Sequence, residues 1–197
     1  MDNKPMNRHQ RRRLRTRKEL QTALLAIILE KGYDEVSIQD ITDRADLARA
    51  TFYIHFKDKE DLLWSVIEDV IHKTEEEILQ DFDGVIPKQA EYFAFRNIFE
   101  HVEQNRDTYR VILGSKGSSE IYHRVHQYMV DETLQDMENF HVYTELKQPA
   151  QIKAQIIVGS IVSLAIWWLE TPNDFTAEQM AAMLYETLFH QAPPSYA

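Results

Sequence analysis

Residues 37–63, SIQDITDRADLARATFYIHFKDKEDLL, restrict the fold more than any other stretch of the chain. They read as two short helices joined by a tight turn, followed at once by the start of a longer helix. Ser37 is placed to accept from the Asp40 backbone N–H while Asp40 reaches back, a reciprocal cap that starts the first short helix. Ile38, Ile41 and Ala45 face inward. The turn falls at Asp46, Leu47 and Ala48, and the second short helix covers residues 49–55. It turns Phe52 and Phe56 inward and presents Arg49, Thr51, Tyr53 and His55 outward. Asp58, with Asp61 three residues on, caps the helix that follows. A small helix with cationic and hydrogen-bonding groups outside and an apolar inner face suits entry into a DNA major groove. The same pattern also fits a helical hairpin with no nucleic-acid role.

The rest of the chain keeps a helical period, and no segment alternates with the period of a strand. Leu20, Ala23, Leu24, Ile27 and Ile28 form a stripe that Gly32 stops in a left-handed cap. The helix after Asp58 carries Leu62, Leu63, Val66, Ile67, Val70, Ile71 and Ile78, about five turns. Pro87 opens a helix with Tyr92, Phe95, Phe99 and Val102 on one face. A short helix covers residues 107–113, and the GSKGSS segment at 114–119 is the clearest internal break. Helices over 121–140 and 149–169 follow. Thr176 and Gln179 cap a last helix that ends before Pro193 and Pro194. The expectation is an all-α chain of about nine helices: a three-helix N-terminal domain over residues 1–60 and a larger helical domain over 61–197.

Charge separates the same two regions. Residues 1–60 hold 13 Lys/Arg against 10 Asp/Glu, and residues 61–197 hold 9 against 22, so a net charge of −10 divides into +3 and −13. Lys4, Arg8, Arg11, Arg12, Arg13, Arg15, Arg17 and Lys18 face only Asp2 in the first eighteen residues. A basic end on an acidic body fits a polyanion partner docking at that end, and a solubilising tail accounts for it equally well. The 197 residues contain no Cys, which excludes disulfides, thiol catalysis and Cys-based zinc sites and fits a reducing compartment. No apolar run follows a short charged start, so no signal peptide is expected.

Residues 16–63 resemble the DNA-binding domain of the TetR family of transcriptional regulators. The resemblance rests on Thr16-Arg17, Ala23, the Gly32-Tyr33 stop, Ser37-Ile38-x-Asp40-Ile41 and Ala45. It continues through Thr51-Phe52-Tyr53-x-His55-Phe56-x-x-Lys59-x-x-Leu62-Leu63. It covers about a quarter of the chain. It implies that Arg49, Ala50 and Gln39 fall at base-reading positions. It also implies that Ser37, Thr51, Tyr53, His55 and Lys59 fall at phosphate-holding positions, with Tyr53 able to touch a base. The basic arm before Thr16 fits tracking of phosphates or entry into a minor groove. Physical chemistry agrees, since Arg forks onto guanine, Gln pairs with adenine, and hydroxyls and Lys fix register on the backbone. Two positions depart from the family pattern. Asp46 stands where Gly is common in the turn, and Ala48 stands where Ser or Thr often caps the reading helix.

The resemblance further implies a cytoplasmic homodimeric regulator, a repressor that leaves a palindromic double-stranded operator when a small-molecule effector binds. The apolar residues 156–169 would then pair with the last helix and their symmetry mates in a four-helix interface. That run is shorter than the ~20 residues of a membrane span and is bounded by Lys153 and Glu170. The Tyr, Phe and His residues between 92 and 143 fit either an effector cavity or core packing; no pocket residue is assigned. A regulator acting through a protein partner is the alternative, as is a ligand-binding body that has lost its DNA. His123 and His126 are three apart on a helix but lack a third ligand at a telling spacing, so no metal or cofactor is expected. Glu75, Glu76 and Glu77 read as a solvated face. No phosphate loop, nucleophile elbow or paired catalytic motif argues for an enzyme.

Overall fold

The reciprocal cap read at Ser37 forms as the sequence predicts. Ser37 Oγ accepts from the Asp40 N–H at 3.2 Å, and the Ser37 N–H donates to Asp40 Oδ2 at 2.8 Å. The computed structural model describes residues 7–82 and 90–190, and the side chains of residues 7–73 and 90–190. The described residues form nine α-helices and no strand. They divide into two compact units, Met1–Asp69 and Val70–Ala197.

In the first unit α1 (Arg8–Lys31) begins at a capping box made by Asn7 and Gln10. The basic stretch from Arg8 onward is therefore helical. The helix ends at Gly32, with φ 85° and ψ 155°. That positive φ with an extended ψ lies in a region essentially reserved for glycine, so Gly32 departs from the left-handed cap expected of it. Helices α2 (Ile38–Arg44) and α3 (Arg49–His55) are seven residues each. Between them Asp46 adopts φ 54°, the left-handed conformation that Asp tolerates better than most residues. Asp58 Oδ1 accepts from the Asp61 N–H at 2.8 Å and opens α4 (Lys59–Phe82).

The core of this unit comprises Leu20, Leu24, Ile27 and Ile28 of α1 with Ile41, Phe52, Phe56, Leu62, Leu63 and Ile67. Ile38 and Ala45 are only half-buried at its edge. Two exposed ion pairs join the end of α1 to α2. Arg44 forks onto Glu30 at 2.8 and 2.6 Å, and Lys31 meets Asp40 at 3.0 Å. Ser37's hydroxyl and backbone N–H, helped by Lys31, hold the Asp40 carboxyl well below the usual carboxylate range. Inside, the buried Gln21 amide of α1 shares its hydrogens among Asp69 Oδ2 (2.7 Å), Ser65 Oγ (3.1 Å) and Ser65 O (3.3 Å), all on α4.

In the second unit α5 (Ala90–Gln104) packs on α9 (Ala177–Phe189), and α7 (Ser119–Phe140) packs on α8 (Ala150–Glu170). The short α6 (Arg106–Leu113) lies against α8. Its arginines satisfy the last carbonyls of α8: Arg106 donates to Trp168 O at 3.2 Å and Arg110 to Leu169 O at 2.9 Å. The aromatic residues that fitted either a cavity or a core pack on one another. Tyr92 meets Tyr185 edge-on at 5.7 Å, Phe99 meets Trp168 at 5.9 Å, and Tyr143 stacks on Phe95 and Phe189 at 6.5 and 6.3 Å. The GSKGSS break is a tight turn in which a Cβ at Gly117 would sit 2.1 Å from Val111 O. Glu170 holds it by accepting from the Ser115 N–H at 3.1 Å. The expected helix start at Pro87, the side chains of Glu75–Glu77 and Ile78, and Pro193–Pro194 lie outside the described residues, as do Asp2 and Lys4.

Candidate nucleic-acid interface

Helix α3 is short, and Phe52 is its single buried side chain. That one anchor, followed by Phe56 just beyond the helix, decides which face remains outside. Arg49, Ala50, Tyr53 and Ile54 are exposed, while Thr51 and His55 form half-buried shoulders. One guanidinium nitrogen of Arg49 lies 3.3 Å from the Tyr53 hydroxyl, with the guanidinium carbon 5.9 Å from the ring centre. The arginine is thus held along the outer face one turn from its own Cα, where its remaining donors can reach a base edge. Ala48 caps the helix with no side-chain hydrogen bond, so the reading helix starts without the ~1 kcal/mol of a Ser or Thr cap.

The sequence reading missed Ile54. It is 73% exposed, the highest value among the large apolar side chains described. An isoleucine so placed next to Ala50 can contact a thymine methyl, which hydrogen-bonding side chains do not read. Its signal was available, because Ile54 lies four residues after Ala50 and so on the same face. Helix α1 also contributes. Burial first, and then the charges of Arg13 and Arg17, hold the His55 imidazole below its ordinary pKa and favour its neutral form. Arg17 lies over the Phe56 ring at 5.3 Å.

The other candidates sit on neighbouring elements, and three of them are engaged within the chain. Ser37 caps α2 and donates its hydroxyl hydrogen to Asp40 at 2.6 Å. Gln39 is exposed on α2 and donates to Asp43 at 2.5 Å. Lys59, at the first position of α4, turns back onto the α1–α2 connection. Its ammonium donates to Tyr33 O at 2.9 Å and Val36 O at 3.0 Å and sits 4.3 Å from the Tyr33 ring centre. Hydrogen bonds to a charged group contribute about 1.5–3 kcal/mol net of their exchange with water. Lys59→Ala is therefore expected to lower stability by about 2–3 kcal/mol, read by urea denaturation. Unchanged stability together with a flatter salt dependence of DNA binding would instead make Lys59 a phosphate ligand.

Comparison with known proteins places this geometry in a family. Residues 22–66 match the bacterial regulatory proteins of the tetR family, and residues 90–190 match a transcriptional regulator C-terminal region. An uncharacterized HTH-type transcriptional regulator of Bacillus subtilis, YxbF, is 46% identical over 59 residues, which are 29% of this chain and 16% of that protein. The chain thus spans about a sixth of that relative's length. NalD of Pseudomonas aeruginosa, the secondary repressor of the MexAB-OprM multidrug efflux pump, is similar in fold. Its TM-score is 0.73 at 19% identity, over 94% of this chain and 99% of that one. Bacillus subtilis FadR, solved in complex with stearoyl-CoA, has a TM-score of 0.65 at 17% identity, over 87% of this chain and 97% of that one. With one match over the helix-turn-helix and another over more than half of the chain, the protein belongs to the TetR family of transcriptional regulators.

Proposed function

We propose that the chain is a repressor that binds a palindromic operator as a homodimer and leaves it when a small molecule occupies the second unit. The observation that carries this reading is the outer face of α3. Arg49 is braced by Tyr53, with Ala50 and Ile54 beside them, on a helix whose single buried side chain aims that face outward. Arg49, Ala50 and Ile54 read bases; Thr51, Tyr53 and His55 meet the backbone at the shoulders; Ser37 and Gln39 approach from the start of α2. Selection of random duplexes by the purified protein at near-physiological salt tests it. An enriched palindrome is the expected result, and weak salt-sensitive binding without enrichment would sink the reading.

A second surface supports the dimer. Helix α8 buries Ala154, Ile157, Val158, Ile161, Val162, Ala165, Trp168 and Leu169 on one side. Ile152, Ile156 and Trp167 stay exposed on the other, with Met183 exposed on α9. Between them a Cβ at Gly159 would meet nothing within 4 Å. Leu at this position is accommodated in a single chain and helps the helix, yet it overfills a close helix–helix contact by about 1–3 kcal/mol. Gly159→Leu is expected to raise the dimer dissociation constant about tenfold or more, measured by sedimentation, with helix content kept. An unchanged dimer would put the interface elsewhere.

The neighbours support the effector. FadR was solved with an acyl-CoA, and NalD represses a drug efflux pump. An effector would act by favouring a spacing of the two α3 helices that no longer fits both half-sites. Stearoyl-CoA is a first probe, and loss of operator binding on its addition is the readout.

A further inference from the structure

The centre of the outward face of α3 is apolar. At about 100° per residue, Ala50 and Ile54 each lie about 160° around the helix from the buried Phe52. They form a ridge opposite that anchor. Arg49 and Tyr53 make the row on one side of the ridge, and Thr51 and His55 make the row on the other. The hydrogen-bonding groups therefore flank the centre and do not occupy it. Nothing in the fold accounts for an isoleucine there. Its side chain is 73% exposed, against 50% for Tyr53 beside it. A β-branched residue also lowers the helix propensity of a seven-residue helix that has no side-chain cap. Isoleucine carries neither donor nor acceptor, so it can hold no phosphate and no polar base edge.

Among the base edges of the major groove, the apolar group on display is the C5 methyl of thymine. We infer that Ala50 and Ile54 form a methyl-reading ridge, which makes operator recognition depend on a pyrimidine C5 methyl and not on hydrogen-bonding edges alone. This rests on the operator reading above. The place of the methyl follows from the brace on Arg49, whose guanidinium reaches one turn along the helix to Tyr53, the residue beside Ile54. A turn is about 5.4 Å and base pairs rise about 3.4 Å. The thymine therefore falls within about two base pairs of the guanine that Arg49 takes. Burial of one methyl changes affinity about fourfold, and a two-fold complex counts it twice, about 15-fold in all.

The test replaces the thymines of the selected duplex by uracil, one symmetric pair at a time, which removes the methyl and keeps the hydrogen-bonding edge. The wild type, Ile54→Ala and Ile54→Val are titrated with each duplex. Ile54 is exposed and Ala raises helix propensity, so neither substitution threatens the fold. The wild type is expected to lose about 15-fold at one pair of positions, within about two base pairs of the guanine whose preference Arg49→Ala relaxes. At that pair Ile54→Ala should bind the thymine and uracil duplexes nearly alike, and Ile54→Val should keep most of the preference. Equal binding of the wild type to thymine and uracil at every position would overturn the inference and leave the operator reading intact. So would a selected sequence with no thymine in that reach. A uracil penalty that Ile54→Ala retains in full would also overturn it, since the methyl would then act on duplex shape or on another residue. If the wild type selects no sequence, the operator reading falls and takes the methyl contact with it.

Discussion

Phe52→Ala should abolish operator binding without touching DNA, at a cost of about 3–5 kcal/mol. Helix α3 has seven residues, far fewer than the ~12–15 at which an isolated helix becomes even marginal in water. It has no side-chain cap at Ala48, and Phe52 is its one buried residue. The ring is fully buried, with centroids 5.4 Å from Tyr53 and 6.0 Å from Phe56. Without it the exposed face has nothing to orient it. Amide hydrogen exchange over residues 49–56 should speed up together with a drop in the urea midpoint, while α7 and α8 keep their protection. Phe52→Leu, closer in volume, should cost far less. Loss of DNA binding with undiminished protection in α3 would show that Phe52 acts on DNA itself.

Arg49→Ala should leave the fold intact and relax the sequence preference. A bidentate arginine–guanine pair contributes about 1–3 kcal/mol of discrimination. A two-fold complex counts it twice, so the expected loss against the best duplex is about 2–6 kcal/mol, with well-separated sites adding. Arg49→Lys is the informative companion, because it keeps the charge and loses the fork. It should bind unspecific duplex like the wild type and still lose preference at one position per half-site. Uniform weakening at every position by either substitution would move Arg49 from base reading to backbone contact.

Local signals were legible in the sequence where neighbouring residues decide the outcome. The caps at Ser37, Asp58 and Thr176 form where the sequence placed them, because a cap joins residues only three apart. The bounds of α3 and the left-handed Asp46 follow from the same short-range chemistry. What escaped depends on distance. Lys59 reaches across 26 residues to the Tyr33 carbonyl, and no local pattern marks its ammonium as engaged there and at Val36. Charge alone left the basic stretch equally a docking end or a solubilising tail and did not mark it as helical, whereas the Asn7–Gln10 cap and continuity with the packed part of α1 keep it so. Ile54 escaped because apolar residues are assumed to face a core, and this one lies on a face that the packing of Phe52 turns outward. The aromatic residues between 92 and 143 could not be sorted into cavity or core until their partners, Tyr185, Phe189 and Trp168, were known.

The Gln21 clasp bears on how the first unit can respond to force. One buried amide holds acceptors at Ser65 and Asp69, a turn apart on α4. Sliding α4 along α1 by a turn, about 5.4 Å, would strand that amide in an apolar interior at a cost of about 1–3 kcal/mol. Turning α1, α3 and the first part of α4 together breaks none of these bonds. Torque applied at Asp69 would therefore swing the reading face as the head of a lever, with its internal register kept. Under the proposed effector mechanism, regulation would act on the direction in which an intact binding surface points, and a ligand would not need to melt that surface to silence it.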